Sequence, residues 1–183
     1  MKKLMIAAAI VCATVVAQAA QFDWKTAKSN NVNPPEGKTM VAATAYVFES
    51  TSAASVLAAF AAGEDWTAGA LSLGEEVTAA GKITAVNKFT YGGDGQAATI
   101  NAIFAFSEKI DGTDYLYIST VGTASAEAVG SSTISFSEKG VSTTIKDAGT
   151  YAGAGWYSAV PEPTSGLLLL LGVAGLALRR RRA

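Results

Sequence analysis

The residues that most constrain this chain are its last 24. Val160-Pro161-Glu162-Pro163-Thr164-Ser165 leads into an apolar run: Gly166, then Leu167, Leu168, Leu169, Leu170 and Leu171, then Gly172, Val173, Ala174, Gly175, Leu176, Ala177 and Leu178. Arg179, Arg180, Arg181 and Arg182 close it. An apolar segment capped by a dense positive cluster can enter a bilayer and is stopped at the cytoplasmic face, which places the preceding chain on the other side. The folded body must therefore be built from what lies upstream.

The opposite end carries a matching export pattern. Lys2 and Lys3 form a positive n-region, residues 4–16 an apolar h-region, and Ala17-Gln18-Ala19 a small-x-small cleavage site, so a signal peptidase is expected to cut between Ala19 and Ala20. An uncleaved anchor is the alternative, opposed by the short alanine-rich core and the well-placed cleavage site. Cys12 lies inside that core behind Val11, where a lipidation signal needs a small residue, so it is expected to leave with the signal peptide.

Three regions follow: a signal peptide at 1–19, an exported body at 20–159 and a sorting segment at 160–183. The 141 residues at 20–160 suffice for one domain with its own core. They hold 14 Asp plus Glu against 8 Lys, a net charge of −6, while the near-neutral whole-chain value comes from the lysines and arginines at the ends. No basic stripe with interleaved aromatics is present, so no nucleic-acid partner is expected. The single cysteine falls in the signal peptide, so sheet hydrogen bonding and burial, not disulfides, must hold the body. The chain contains no histidine, which excludes Ser-His-Asp and Cys-His nucleophile systems and imidazole-ligated zinc or iron. No cofactor and no metal are expected.

Short alternating segments dominate the body. Residues 38–49 predict a strand with Tyr46 and Phe48 on one face and Val47 on the other. Ser52 can cap a helix over 53–62 whose Val56, Leu57 and Phe60 share a face, with Gly63 as its stop; ten residues are marginal alone, so that face must dock on something, most simply an end or edge of a sheet. Residues 81–91 read as a strand before a Gly92-Gly93-Asp94-Gly95 turn. Residues 97–106 give the strongest strand, with Ile100, Ala102, Phe104 and Phe106 on one face and Ile103 and Ala105 on the other, so both faces can be covered. Asp111-Gly112 predicts a hairpin to a strand over 114–121. Residues 133–137 and 141–145 suggest a second hairpin around Glu138-Lys139-Gly140, and 151–157 a last short strand with Trp156 packed. The start at 21–37 is weak, and Trp24 there either caps the core or stands exposed. The expected fold is mainly β, a β-sandwich-like antiparallel domain with one short helix, plus an N-terminal signal helix and a C-terminal hydrophobic helix.

With Pro161, Glu162 and Pro163 followed by the leucine-rich run and four arginines, the chain resembles the PEP-CTERM sorting-domain proteins. The resemblance covers about 24 residues and is specific because the three elements occur in fixed order beside a signal peptide. It implies an exported, non-enzymatic cell-surface or extracellular-matrix protein of a Gram-negative, often exopolysaccharide-producing bacterium. It also implies recognition by an exosortase, a membrane-embedded processing enzyme, with transient membrane anchoring before cleavage near the Pro-Glu-Pro motif. Nothing in it assigns a role to the body. Physically, 13 residues at 166–178 make a helix of about 20 Å, short of a roughly 30 Å hydrocarbon core, which suits temporary retention. Pro161 and Pro163 keep the preceding backbone extended and open to an enzyme. A single-span membrane protein with Pro-Glu-Pro as a mere spacer is the alternative.

Candidate sites in the body are few. Glu64-Asp65 and Glu75-Glu76 could supply acid and base to a hydrolase if they converged in a cleft. Gly92-Gly93-Asp94-Gly95 and Asp111-Gly112-Thr113-Asp114 offer oxygen ligands for calcium, but neither completes a known calcium loop and turn chemistry explains both. Trp66, Tyr91, Trp156 and Tyr157 could stack on sugars, making a carbohydrate-binding module for exopolysaccharide the alternative function. That reading requires them to share one solvent-facing surface.

Overall fold

A computed structural model describes residues 19–27, 31–72, 74–78, 80–82, 88–93, 96–128 and 130–159. In chain order they form β1 (Ala20–Thr26), β2 (Ala43–Glu49), a 3-10 turn (Ser50–Ser52), α1 (Ala53–Ala62), β3 (Glu75–Val77), β4 (Phe89–Tyr91), β5 (Ala98–Ile110), β6 (Thr113–Ile118), β7 (Gly122–Ala126), β8 (Ser131–Phe136), β9 (Lys146–Asp147) and β10 (Gly155–Ser158).

The strands build two sheets. The large one runs β3-β2-β5-β6-β10-β9, with β7 pairing the first half of β5; the small one runs β4-β1-β8. β5 is the organising strand, because its 13 residues are long enough to pair with β7 at one end and β6 at the other while β2 lies along its opposite edge. Its period-2 pattern works as expected. Ile100, Ala102, Phe104 and Phe106 enter the core between the sheets, and Ile103 and Ala105 enter a second core on the outer face of the large sheet. Register aligns Ala45, Phe106, Tyr117 and Trp156 in one row across four strands of the inner face. Phe22, Trp24, Phe89, Ile134 and Phe136 of the small sheet close on that side.

The Asp111-Gly112 turn forms as its composition demands: φ of 52° and 83° at its two central residues let β5 return directly into β6, pairing Ile110 with Thr113. α1 spans the predicted residues and buries Val56, Leu57 and Phe60. It docks on a face of the large sheet, over Phe48, Ile103, Leu116 and Ile118, and not on an end or edge. Ser52 makes no capping bond with its side chain, because the 3-10 turn leads into the helix in its place; Ser55 Oγ donates to the Ser52 carbonyl at 2.8 Å. At the other end Glu64 N donates to Ala59 O at 2.9 Å and Gly63 N to Phe60 O at 3.1 Å, the paired bonds of a Schellman stop.

Several expectations are corrected. The mainly β body with one short helix stands, but neither a signal helix nor a C-terminal hydrophobic helix is found among the described residues. Among the described residues no helix is long and apolar enough to cross a membrane, and the α-helix there is the ten-residue α1. Residues 1–18 and 160–183, on which those helices and the transmembrane span were expected, lie outside the described residues. The sheets are mixed, not antiparallel throughout, since β1 pairs parallel with β8 and β9 parallel with β10. The hairpin around Glu138-Lys139-Gly140 does not form. β8 is instead spent on β1, Glu138 turns inward, and among residues 141–147 the strand is the two-residue β9. The weak start holds β1, the central strand of the small sheet, with Trp24 fully buried. Residues 83–87 of the strand expected at 81–91 lie outside the described set; β4 is its described end.

β7 carries almost no apolar signal because its inward positions must be small. A Cβ on Gly122 would stand 2.7 Å from Ile134 Cγ2 and 2.9 Å from Phe136 Cε1, so β7 approaches β8 more closely than a larger residue allows. Its outward Thr123 and Ser125 hydrogen-bond across the ladder to Asn101 and Thr99, at 2.7 Å each. Gly122→Ala is expected to cost roughly 1–2 kcal/mol by overpacking. Urea unfolding of the two proteins measures it, and an unchanged midpoint would mean that β8 does not pack on β7 as closely as drawn.

Candidate functional site

On the outer face of the large sheet, aromatic, acidic and hydroxyl side chains meet near the end of the described chain. After α1 stops at Gly63, the chain turns through Glu64 and Asp65. Thr67 donates to Asp65 Oδ1 from its amide at 3.0 Å and from its hydroxyl at 2.6 Å. These two bonds hold the Asp65 carboxyl below its usual range, the hydroxyl contributing most. The turn lays Trp66 edge-on against Tyr46, ring centres 5.7 Å apart, and beside Phe48 at 6.3 Å, leaving the indole half-buried.

Trp66 and Glu64 form a wall shared by two shallow clefts of about 320 and 280 Å³. The first is completed by Phe60, by Ser107 and Asp114 of the β5–β6 hairpin, and by Ala159 just beyond β10. The second is completed by α1 and its lead-in, with Ser52, Ser55 and Asp65 at its rim. β10 is held up to its last residue, where Ala148 N donates to Ser158 O at 3.1 Å. Ala159 is thus where the chain leaves the sheet.

The four aromatics proposed as a sugar platform are not brought together. Trp156 is fully buried between the sheets, edge-on to Phe106, with its indole N–H donating to Asn33 O at 2.8 Å. Tyr157, its neighbour on the strand, is fully buried on the opposite face and stacks on Tyr151; its hydroxyl donates to Gly153 O and accepts from Ala152 N at 2.9 Å. Tyr91 belongs to the small sheet and donates to Glu49 Oε1 at 3.0 Å. Of the four, Trp66 borders the two shallow clefts.

The carboxylate candidates are scattered in the same way. Glu64 and Asp65 sit on the exposed turn after α1, and Glu75 and Glu76 give backbone pairing to Ala45 and Thr44 at the edge of the large sheet. Asp94 and Gly95 lie outside the described residues, while Asp111 makes an exposed ion pair with Lys38 at 2.5 Å and Asp114 one with Lys109 at 3.5 Å. Among the described residues no three acidic or cysteine side chains cluster to hold a metal ion.

Sequence reasoning missed two buried glutamates. Glu138 is 2 % exposed; Tyr117 donates its hydroxyl to Oε2, and Thr120 Oγ1 lies 3.1 Å from Oε1. Burial raises its carboxyl above the usual range, with the two hydroxyls acting against the shift. The Tyr117 phenol is pushed far up by burial and then by the nearby carboxylate. Glu108 accepts from Val41 N while its Oε2 finds no partner among the described residues, and burial raises its carboxyl too. The signal for both was parity. Glu108 continues the inward series of Phe104 and Phe106, and Glu138 that of Ile134 and Phe136. A third unusual group is Lys146, whose ammonium donates to the carbonyls of Ala152, Gly153 and Ala154 at 2.9, 3.1 and 2.6 Å and lies 5.3 Å from the Tyr157 ring centre. It ties down the loop that enters β10, and burial lowers its pKa.

Comparison with known proteins places a name on the tail. The family model described as the PEP-CTERM protein-sorting motif matches residues 159–182, beginning one residue after β10 ends. Neither the curated proteins nor the solved structures give a match to the chain. The matched motif is a sorting signal with no catalytic role, and it directs export to the cell surface. By it the chain carries at its C-terminus the PEP-CTERM sorting signal of exosortase substrates, which supports export, sorting to the cell surface and processing at that end.

Proposed function

We propose that the chain works in three parts: residues 1–19 address it to export and are removed by signal peptidase between Ala19 and Ala20, residues 20–159 are the displayed body, and residues 160–183 are the sorting segment. Before processing, the apolar run at 166–178 and the arginines at 179–182 retain the chain at the inner membrane. An exosortase-type enzyme then cuts near Pro161-Glu162-Pro163, freeing the body for the surface or the extracellular matrix. The observation that carries this reading is the junction. Sheet hydrogen bonding reaches Ser158 and the matched motif starts at 159, so the tail can be removed without taking a strand from the fold. The acidic body, at −6, favours solubility over adhesion to anionic lipid.

The deciding measurement is intact mass with C-terminal peptide sequencing, on membrane and extracellular fractions of cells with and without the processing enzyme. A mature chain beginning at Ala20 and ending between 161 and 164, seen only when the enzyme is present, is the expected result. A chain ending at Ala183 in both strains would sink the proposal.

A second reading gives the body an exopolysaccharide partner. Its support is Trp66, which borders the cleft rimmed by Ser52, Ser55 and Asp65, a combination of ring, hydroxyl and carboxylate suited to sugar hydroxyls and CH faces. Titration with the purified polysaccharide should alter Trp66 emission; an unchanged spectrum at saturating polymer would dismiss this partner.

A further inference from the structure

We propose that the outer edge of β8 pairs with the β8 edge of a second copy of this chain, antiparallel about a two-fold axis at Thr133, joining the small sheets of two bodies into one. The first support is an open edge. β8 ends the small sheet on one side, with β1 bonded along its inner edge. Gly130 O accepts from Gln21 N and Phe136 O from Ala27 N, so the even-numbered residues of β8 turn their backbone groups to β1. Those of Ser131, Thr133 and Ser135 point the other way, where no strand pairs with them among the described residues. All three residues are exposed.

The neighbouring edges are guarded and this one is not. β3 has three residues, two of them Glu75 and Glu76; β4 has three, and β9 is Lys146-Asp147. Shortness and charge are how native sheets keep their edges from pairing, whereas β8 has six residues with neither charge nor proline. β7 packs on β8 through Gly122, so pairing at β8 also draws the β7 edges of the two copies toward each other in the second layer.

The second support is self-complementarity. In the two-fold register Thr133 meets Thr133 and Ser131 meets Ser135, each pair exchanging N–H and C=O, with hydroxyls that suit cross-strand contact. The start of one β8 then meets the end of the other. Glu127 lies in the turn that leads into β8 and Lys139 in the turn that leaves it; both are exposed, and neither is ion-paired among the described residues. Antiparallel pairing brings the glutamate of each copy toward the lysine of the other at both ends, while parallel pairing sets like charges together. This complementarity selects a second copy over an unrelated strand.

The test uses the full chain in detergent with Cys12→Ala, so that an introduced cysteine is the only thiol. A short bifunctional maleimide should link Thr133→Cys to itself roughly tenfold faster than Ser55→Cys, which lies on α1 behind the large sheet. Ser131→Cys and Ser135→Cys should each link slowly alone, because like positions stand roughly 13 Å apart along the strands, and quickly when mixed. Sedimentation equilibrium gives an independent arm. Glu127→Lys, which sets lysines together at both ends, should weaken self-association on the order of tenfold, and adding Lys139→Glu should restore it. Both substitutions lie on exposed turn residues and leave the core unchanged. Equal linking at positions 133 and 55 would overturn the proposal, since it marks association through the apolar tail. So would a monomer at every concentration, or a charge reversal that the second substitution does not rescue.

Discussion

Phe104→Ala is expected to destabilise the protein by about 3–5 kcal/mol, the range for deleting a fully buried aromatic side chain. Phe104 is 0 % exposed and is the ring through which the two sheets meet. It stands edge-on to Phe136 at 4.9 Å and stacks with Trp24 at 6.0 Å on the small-sheet side. Within the large sheet it contacts Tyr117 at 5.9 Å and Phe106 at 6.4 Å. Alanine here removes both the transferred apolar surface and the contacts that fill the inter-sheet space, and surrounding rings this large relax poorly into the void. A domain of this size has a total stability of about 5–15 kcal/mol, so the loss is a large share of it. Phe104→Leu, which keeps most of the volume, should cost less than half as much. Equilibrium urea unfolding decides: a loss below about 1 kcal/mol for Phe104→Ala would mean that the sheets do not pack through this ring.

Tyr117→Phe carries the second large effect, and it depends on pH. The variant keeps the ring in its row with Phe106 and Trp156 but leaves Glu138 Oε2 without its phenolic donor. With Glu138 ionised, a buried charge-assisted hydrogen bond is lost, at about 1.5–3 kcal/mol. With Glu138 protonated, the cost falls to the order of 1 kcal/mol. The sign follows from the raised carboxyl. Glu138 binds its proton more tightly in the folded protein than in the unfolded chain, so its contribution is fully present below the ordinary value of 4.5 and is lost as pH rises through the folded value. Wild-type stability should therefore decline from about pH 4.5 upward. The Tyr117→Phe deficit should widen over the same interval, because that phenol is one of the groups opposing the shift. Glu138→Gln, which keeps an acceptor for Tyr117, should flatten the profile, with Glu108 supplying what slope remains. Urea midpoints measured from pH 4 to pH 8 test this; parallel profiles for the wild type and Glu138→Gln would show that Glu138 does not titrate as a buried carboxyl.

Local patterning made several elements readable. Alternation in β5 is strict enough to assign its buried apolar side chains to one of two cores, and Asp111-Gly112 admits a tight return because both residues accept positive φ. Val56, Leu57 and Phe60 recur at helical spacing before a glycine stop. The failures share a cause. β1 and β8 pair in parallel across more than a hundred residues, and nothing local in Gln21 to Thr26 announces a partner so distant. β7 is silent because close packing on β8 demands glycine and alanine at the very positions where a strand usually shows apolar bulk. The candidate site was read in fragments for the same reason. Trp156 and Tyr157 are adjacent in sequence and lie on opposite faces of a sheet, whereas Trp66 is far in sequence from Ser107 and Asp114 of the β5–β6 hairpin and borders one cleft with them.

The sequence by itself determined where this protein goes. Sorting depends on a contiguous string, Pro161-Glu162-Pro163 with its apolar run and arginines, whose properties of extension, hydropathy and charge need no fold to exist. Tertiary structure alone decided what the body presents at the end of that journey. Burial of Trp24, Trp156 and Tyr157, inward rotation of Glu108 and Glu138, and the emergence of Ala159 beside Trp66 all follow from which strands pair. Pairing between distant segments is a cooperative outcome of the whole chain, and no short stretch of residues encodes it.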